Sequence, residues 1–124
     1  MIYLDTHVLV KLHLGEAARL GVAARKAIAR HELLASPAAV LELELLHEIG
    51  RLKHGAQRII TGLGEDLGLR VCDLPFRTVV EHALKEAWGR DPFDRLIVAH
   101  ARAADAPLVS KDQKIRRHYP RAIW

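Results

Sequence analysis

Four carboxylates, Asp5, Glu42, Asp94 and Asp112, each stand just behind a short apolar run or early in the helix that follows one. In a doubly wound sheet, ligands bind beyond the carboxyl ends of the strands, so acids in these positions are candidates for one shared site. Asp5 ends "MIYLD", Glu42 lies six residues past Ser36, Asp94 falls in the first turn of a helix opening at Pro92, and Asp112 follows "LVSK". Each also has a purely structural reading. Asp5 with Thr6 can start a helix, Glu42 can face solvent, Asp94 can complete a capping box begun at Asp91, and Asp112 can cap "QKIRRH".

The neighbours of two of these acids argue for chemistry. Glu42 is flanked by Leu41 and Leu43 and shares a helical face with Leu45, Leu46 and Ile49, which sets it against the core. Asp94 lies at the edge of a stripe made by Phe93, Leu96, Ile97 and Ala104. Carboxylates so placed protonate, pair with a base or bind a cation, and no lysine or arginine in the local pattern is a mate for Glu42. Oxygen ligands without a Cys or His cluster suit Mg²⁺ or Mn²⁺ better than zinc. A cation held this way can bridge a phosphodiester oxygen and acidify a bound water, with room for a second ion about 3.5–4 Å away. The chemistry implied is hydrolysis of a nucleic-acid backbone.

The elements that must position the acids alternate in type. "MIYLD", "LLAS" (33–36), "LRVC" (69–72) and "PLVS" (107–110) read as buried strands, with "AIW" (122–124) as a candidate fifth. Helical patterns lie between them at 16–31, 37–54, 76–88 and from Pro92 onward. The alternation predicts an α/β fold: a three-layer α/β/α domain around a central parallel sheet of four or five strands. In the second helix Val40, Leu41, Leu45, Leu46 and Ile49 are expected to form the apolar face, and the glycines at 50, 55, 62, 64 and 68 to cut the middle of the chain into short helices.

A chain of 124 residues, half of them apolar, supports one core and is read as a single domain, 1–124. No apolar run approaches a membrane span, and "MIYLDTHVLV" has an acid where a secretory leader needs a basic region followed by an apolar stretch. Cys72 is alone and reads as a small buried thiol. A cytoplasmic protein is expected. The formal net charge of +4 favours polyanionic partners.

Eight histidines invite a zinc reading, but His47 and His54 are seven apart, where the two-turn zinc motif needs four. His7 can contact substrate or fill the first helical turn, while His100 reads as structural. The run "KDQKIRRHYPR" carries Lys111, Lys114, Arg116, Arg117 and Arg121, either a patch contacting nucleic-acid backbone or a solvated helix face. Tyr119 and Trp124 are expected to close the core. Two rival functions share parts of this pattern. A phosphatase with an aspartyl nucleophile also places an Asp after the first strand, but its D-x-D pattern is broken here by His7. A catalytically silent module binding nucleic acid or protein would need no intact acid set.

"YLDTHVLVKL" (3–12), "SPAAVLELELL" (36–46), "RDPFDRLIVAHA" (90–101) and "LVSKDQKIRRHYPRAIW" (108–124) together resemble the PIN-domain ribonuclease toxins of the VapC family, in the same order and spacing over nearly the whole chain. The resemblance implies that Asp5, Glu42, Asp94 and Asp112 are the catalytic acids and the ligands of Mg²⁺ or Mn²⁺. It places Thr6, Ser110, Lys111 and Arg116 beside the substrate, with Asp91 as a second-tier acid that helix capping also explains. The implied activity is endoribonucleolytic, with water attacking phosphorus to leave a 5′-phosphate and a 3′-hydroxyl. The implied partners are RNA, a cognate antitoxin and a second copy in a homodimer. The sequence departs from the family pattern at Ser110, where threonine is common, and at Val10-Lys11, where a more apolar pair is usual; the second change alters a packing or partner surface.

Overall fold

The computed structural model describes residues 1–124. Three buried residues in succession, Ile2, Tyr3 and Leu4, form β1 (Ile2–Leu4). Because neighbouring strand side chains point to opposite faces, burial of all three means that helices cover both sides of the sheet. The same holds for β2 (Leu33–Ala35). The strands β3 (Arg70–Val71), β4 (Leu108–Val109) and β5 (Ala122–Ile123) complete a five-stranded, wholly parallel sheet in the order β3-β2-β1-β4-β5. The chain winds outward from β1 to β3, then returns to the other side of β1 for β4. That reversal creates a switch point between the carboxyl ends of β1 and β4.

The helices are α1 (Thr6–His13), α2 (Val22–Arg30), α3 (Pro37–Glu48), α4 (Ala56–Leu67), α5 (Phe76–Ala83), α6 (Pro92–Ala103) and α7 (Gln113–His118). The sequence pattern put the first helix at 16–31; the chain instead turns helical directly after Asp5, and a short 3₁₀ turn at Ala17–Arg19 separates α1 from α2. The Asp5 carboxylate caps α1, so the acid that ends the strand also starts the helix. Three more helices start as their capping residues dictate, with Ser36, Asp91 and Asp112 accepting from backbone N–H groups of α3, α6 and α7.

Two expectations about the middle of the chain fail for physical reasons. Gly62 and Gly64 do not break α4, whose strong apolar face anchored by Ile59 and Leu63 outweighs a glycine penalty of about 1 kcal/mol each; the helix stops only at Gly68, in the left-handed conformation at φ 71°. The buried face of α3 is also rotated from the predicted one. Ala38, Ala39 and Leu43 are buried, with Val40 and Leu46 packed against the core, whereas Leu41 and Ile49 are 54% and 68% exposed and Leu45 is also exposed. Small alanines let α3 pack closely among α1, α4 and α6, and the branched residues are left outside. Glu42 lies on the inward stripe of Ala39, Leu43 and Leu46, so its half-buried position survives on a different set of neighbours.

The core joins both faces of the sheet to Leu9, Leu43, Ile59, Ile97 and Ile115. Burying each such side chain fully contributes roughly 1.5–3 kcal/mol. His100 on α6 is buried, as expected of a structural residue, with Nδ1 2.9 Å from Ser36 Oγ and 3.1 Å from Leu96 O. It ties α6 to the end of β2. No helix is long and apolar enough to cross a membrane.

Candidate active site

The carboxyl ends of β1 and β4 open into a cleft of about 380 Å³ lined by Asp5, Glu42, Asp94 and Asp112. Four acids separated by up to 107 residues therefore share one space, as their placement after strands and in first turns predicts. Asp5 is delivered by β1, Glu42 by the second turn of α3, Asp94 by the first turn of α6 and Asp112 by the start of α7.

Asp5 is the most enclosed of the four. Its Oδ1 accepts from Thr6 N at 2.8 Å and its Oδ2 from the Ser110 hydroxyl at 2.6 Å. The Ser110 oxygen in turn accepts from Asp112 N at 3.1 Å, so one buried hydroxyl links the first acid to the backbone of the fourth. The Thr6 hydroxyl donates to Glu42 Oε1. Thr6 and Ser110, expected beside the substrate, thus spend their hydroxyls on site carboxylates, and Thr6 also lines the cleft. Both residues are buried, leaving Ser110 no surface for a ligand.

Asp112 both lines the cleft and caps α7, its Oδ1 accepting from Lys114 N at 2.8 Å and Ile115 N at 3.0 Å. Capping and site chemistry are thus compatible. Asp91 is the cap of α6, accepting from Phe93 N at 2.8 Å and Asp94 N at 3.3 Å, and it stands outside the cleft lining. Asp94 does not close a capping box with it; the Asp94 side chain makes no hydrogen bond and points its charge into the cleft.

The electrostatics follow from this crowding. Asp94 is pushed up from 3.8 to about 7, first by burial and then by the charges of Asp91, Asp5, Asp112 and Glu42. Glu42 is also raised, mainly by burial, with the Thr6 hydrogen bond opposing and the charges of Asp5 and Asp91 adding to the rise. No lysine or arginine forms an ion pair with any of the four; the nearest cationic candidate is His7, whose Nδ1 lies 3.4 Å from Asp5 Oδ2. Burial lowers the His7 pKa, and its Nε2 accepts from Lys111 N at 2.9 Å, so the ring is neutral with its proton on Nδ1 toward Asp5.

An oxygen-only donor set whose charges are uncompensated fits a divalent hard cation. No three of the His, Cys, Asp and Glu side chains stand close enough together to form a ready-made metal cage. The carboxylates in the cleft that could hold such a cation are those of Asp5, Glu42, Asp94 and Asp112.

The remaining predicted residues fall outside this core. Lys111 lines a recess beside the cleft, and Arg116 is exposed on α7 away from the cleft lining. Sequence reasoning missed Arg51, which lines the cleft from the loop after α3, and it assigned Lys11 to a packing or partner surface although Lys11 lines the cleft. The i, i+4 spacing of His7 and Lys11 on α1 is the signal that places Lys11 on the site face. Nothing in the local pattern marks Arg51.

Comparison with known proteins gives this geometry a family. A family model for the PIN domain matches residues 2–119, and the chain belongs to that family. A search of curated proteins by sequence returned no match. Among solved structures, a toxin-antitoxin complex from Klebsiella pneumoniae contains a chain similar over 100% of this one and 97% of its own length, at 16% identity and a TM-score of 0.68. VapBC2 from Rickettsia felis, bound to a DNA fragment from its promoter, is similar over 100% of both chains at 18% identity and a TM-score of 0.67. At these identities the likeness is one of fold.

Proposed function

We propose that the protein is the toxin of a type II toxin-antitoxin pair, a Mg²⁺- or Mn²⁺-dependent endoribonuclease. The observation that carries this reading is the gathering of Asp5, Glu42, Asp94 and Asp112 in one cleft with no lysine or arginine paired to them. Membership of the PIN family and the fold shared with toxin-antitoxin complexes support it.

A divalent cation in the cleft would neutralise the acids, draw in a phosphodiester and acidify a water at neutral pH. The chain's own residues prepare for that. Ser110 and the α1 N-terminus hold the Asp5 carboxylate in place by donating to both of its oxygens. Thr6 orients Glu42, and Asp94, poised near neutrality, is the group whose proton must leave before a cation binds. The Lys11 and Arg51 side chains at the cleft attract the polyanion. The exposed Leu41, Leu45 and Ile49 on α3 give an antitoxin or a second copy an apolar surface to cover. The full acid set weighs against a silent binding module, and His7 in place of the second acid of D-x-D weighs against an aspartyl phosphatase.

Brief expression of the wild type and of Asp94→Asn, followed by sequencing of cellular RNA ends, tests the proposal. Growth arrest and new 5′-phosphate ends are expected from the wild type alone. Equal arrest by both proteins would overturn it.

A further inference from the structure

Next to the acid cleft lies a second recess of about 420 Å³ lined only by His7, Lys11, Lys111 and Asp112. Three of these residues, His7, Lys11 and Asp112, also line the acid cleft, so the two spaces open onto each other. Neither lysine pairs with a carboxylate, although acids surround them. A lysine serving only as an internal counter-ion would close on one of those acids. These two ammonium groups are free for an external anion.

Their relative position is fixed from below. Lys11 sits one turn along α1 from His7, on the same face. The His7 ring is held on three sides: Nε2 accepts from Lys111 N at 2.9 Å, Nδ1 faces Asp5 Oδ2 at 3.4 Å, and the ring meets the indole of Trp124 edge-on at 6.0 Å. Trp124 is itself seated where Gly21 leaves room, since a Cβ on Gly21 would come within 2.5 Å of the Trp124 backbone. His7 thus anchors the backbone of Lys111 to the helix that carries Lys11, although the two lysines are 100 residues apart. No hydrophobic residue lines the recess, and two of its four side chains are ammonium groups. Its chemistry is that of a phosphate site.

We propose that Lys11 and Lys111 hold the phosphate adjacent to the scissile one as a single RNA strand leaves the acid cleft. This rests on the nuclease reading, and it assigns the lysines a contact with the backbone that is blind to sequence. Lys11, the departure from the family pattern, is then a substrate-binding residue particular to this chain, and His7 is its positioning partner.

The test is binding of a fluorescein-labelled ten-nucleotide single-stranded RNA, followed by anisotropy over a salt series at constant Mg²⁺, in an Asp94→Asn background that suppresses cleavage. Removing one phosphate-neutralising side chain from a single-strand complex lowers the slope of log K against log salt by about 0.7. Lys11→Gln and Lys111→Gln are each expected to lower the slope by that amount, and Lys11→Arg to restore it. Arg25→Gln, which removes the same charge from α2, controls for net charge and is expected to leave the slope unchanged. Slopes equal to the parent's in both lysine variants, or an equal drop in Arg25→Gln, would overturn the subsite while leaving the nuclease reading intact. Failure of the parent to bind RNA at all would overturn both.

Discussion

The hydroxyl of Ser110 donates to Asp5 Oδ2 at 2.6 Å, joining the ends of two adjacent strands across 105 residues of sequence. Both groups are buried, so the bond fixes a carboxylate at the switch point of the sheet and holds the loop carrying Asp112 beside it. Ser110→Ala leaves a buried carboxylate oxygen without its donor. Urea denaturation is expected to show a loss of about 1–3 kcal/mol, the range for a buried group stripped of its partner. Unchanged stability would mean that water replaces the hydroxyl without cost.

Asp94 makes stability fall with rising pH. Its folded pKa of about 7 exceeds the ordinary 3.8, so between these values the native state binds more protons than the unfolded state. The derivative of unfolding free energy with pH is then negative, and this contribution is lost as pH rises from about 4 to about 7, levelling off above. Metal-free wild type is expected to show a falling Tm across that window, and Asp94→Asn a flatter profile. Added Mg²⁺ should raise the wild-type Tm at pH 8 and have little effect at pH 5. Parallel profiles for the two proteins would contradict the assignment.

The same acids show where sequence was informative and where it was not. Strand ends are marked by apolar runs that stop abruptly, so Asp5, Asp112 and the parallel sheet were legible from "MIYLD" and "LVSKD". Asp94 was legible because Asp91-Pro92 fixes the start of α6. The face of α3 was not, because leucines occupy nearly every side of that helix and the deciding residues are the alanines at 38 and 39, whose small size matters only against a neighbour. The roles of Thr6 and Ser110 were hidden for a similar reason. A hydroxyl's partner is a matter of three-dimensional placement, and neither Glu42 nor Asp5 is near its donor's element in a way that spacing reveals for both. Lys11 was read only as part of a packing or partner surface, and its place at the cleft follows from α1.

Thr6→Val keeps the shape of the side chain and removes the donor to Glu42. The Thr6 hydrogen bond lowers the Glu42 pKa against the rise caused by burial, so its loss lets that pKa climb further. Because the site needs Glu42 ionised, the acid limb of the activity profile is expected to move to higher pH, with activity approaching wild type on the alkaline side. A uniform loss of activity at every pH would instead mean that Thr6 acts through geometry alone.

Asp91 separates a structural from an electrostatic role in a single position. It caps α6 through Phe93 N and Asp94 N, and among the neighbouring charges that raise Asp94 beyond the effect of burial its own is the strongest. Asparagine caps as well as aspartate, whereas alanine costs about 0.5–2 kcal/mol at an N-cap. Asp91→Asn is therefore expected to hold the stability of the wild type while lowering the Asp94 pKa, and Asp91→Ala to lower the same pKa and lose stability as well. With less repulsion in the cleft, Asp94 gives up its proton at lower pH, so cleavage by Asp91→Asn should begin at more acidic pH than cleavage by the wild type. If Asp91 held the cation directly, Asp91→Asn would instead need higher Mg²⁺ concentrations at every pH, and a Mg²⁺ titration of cleavage at pH 6 and pH 8 distinguishes the two outcomes.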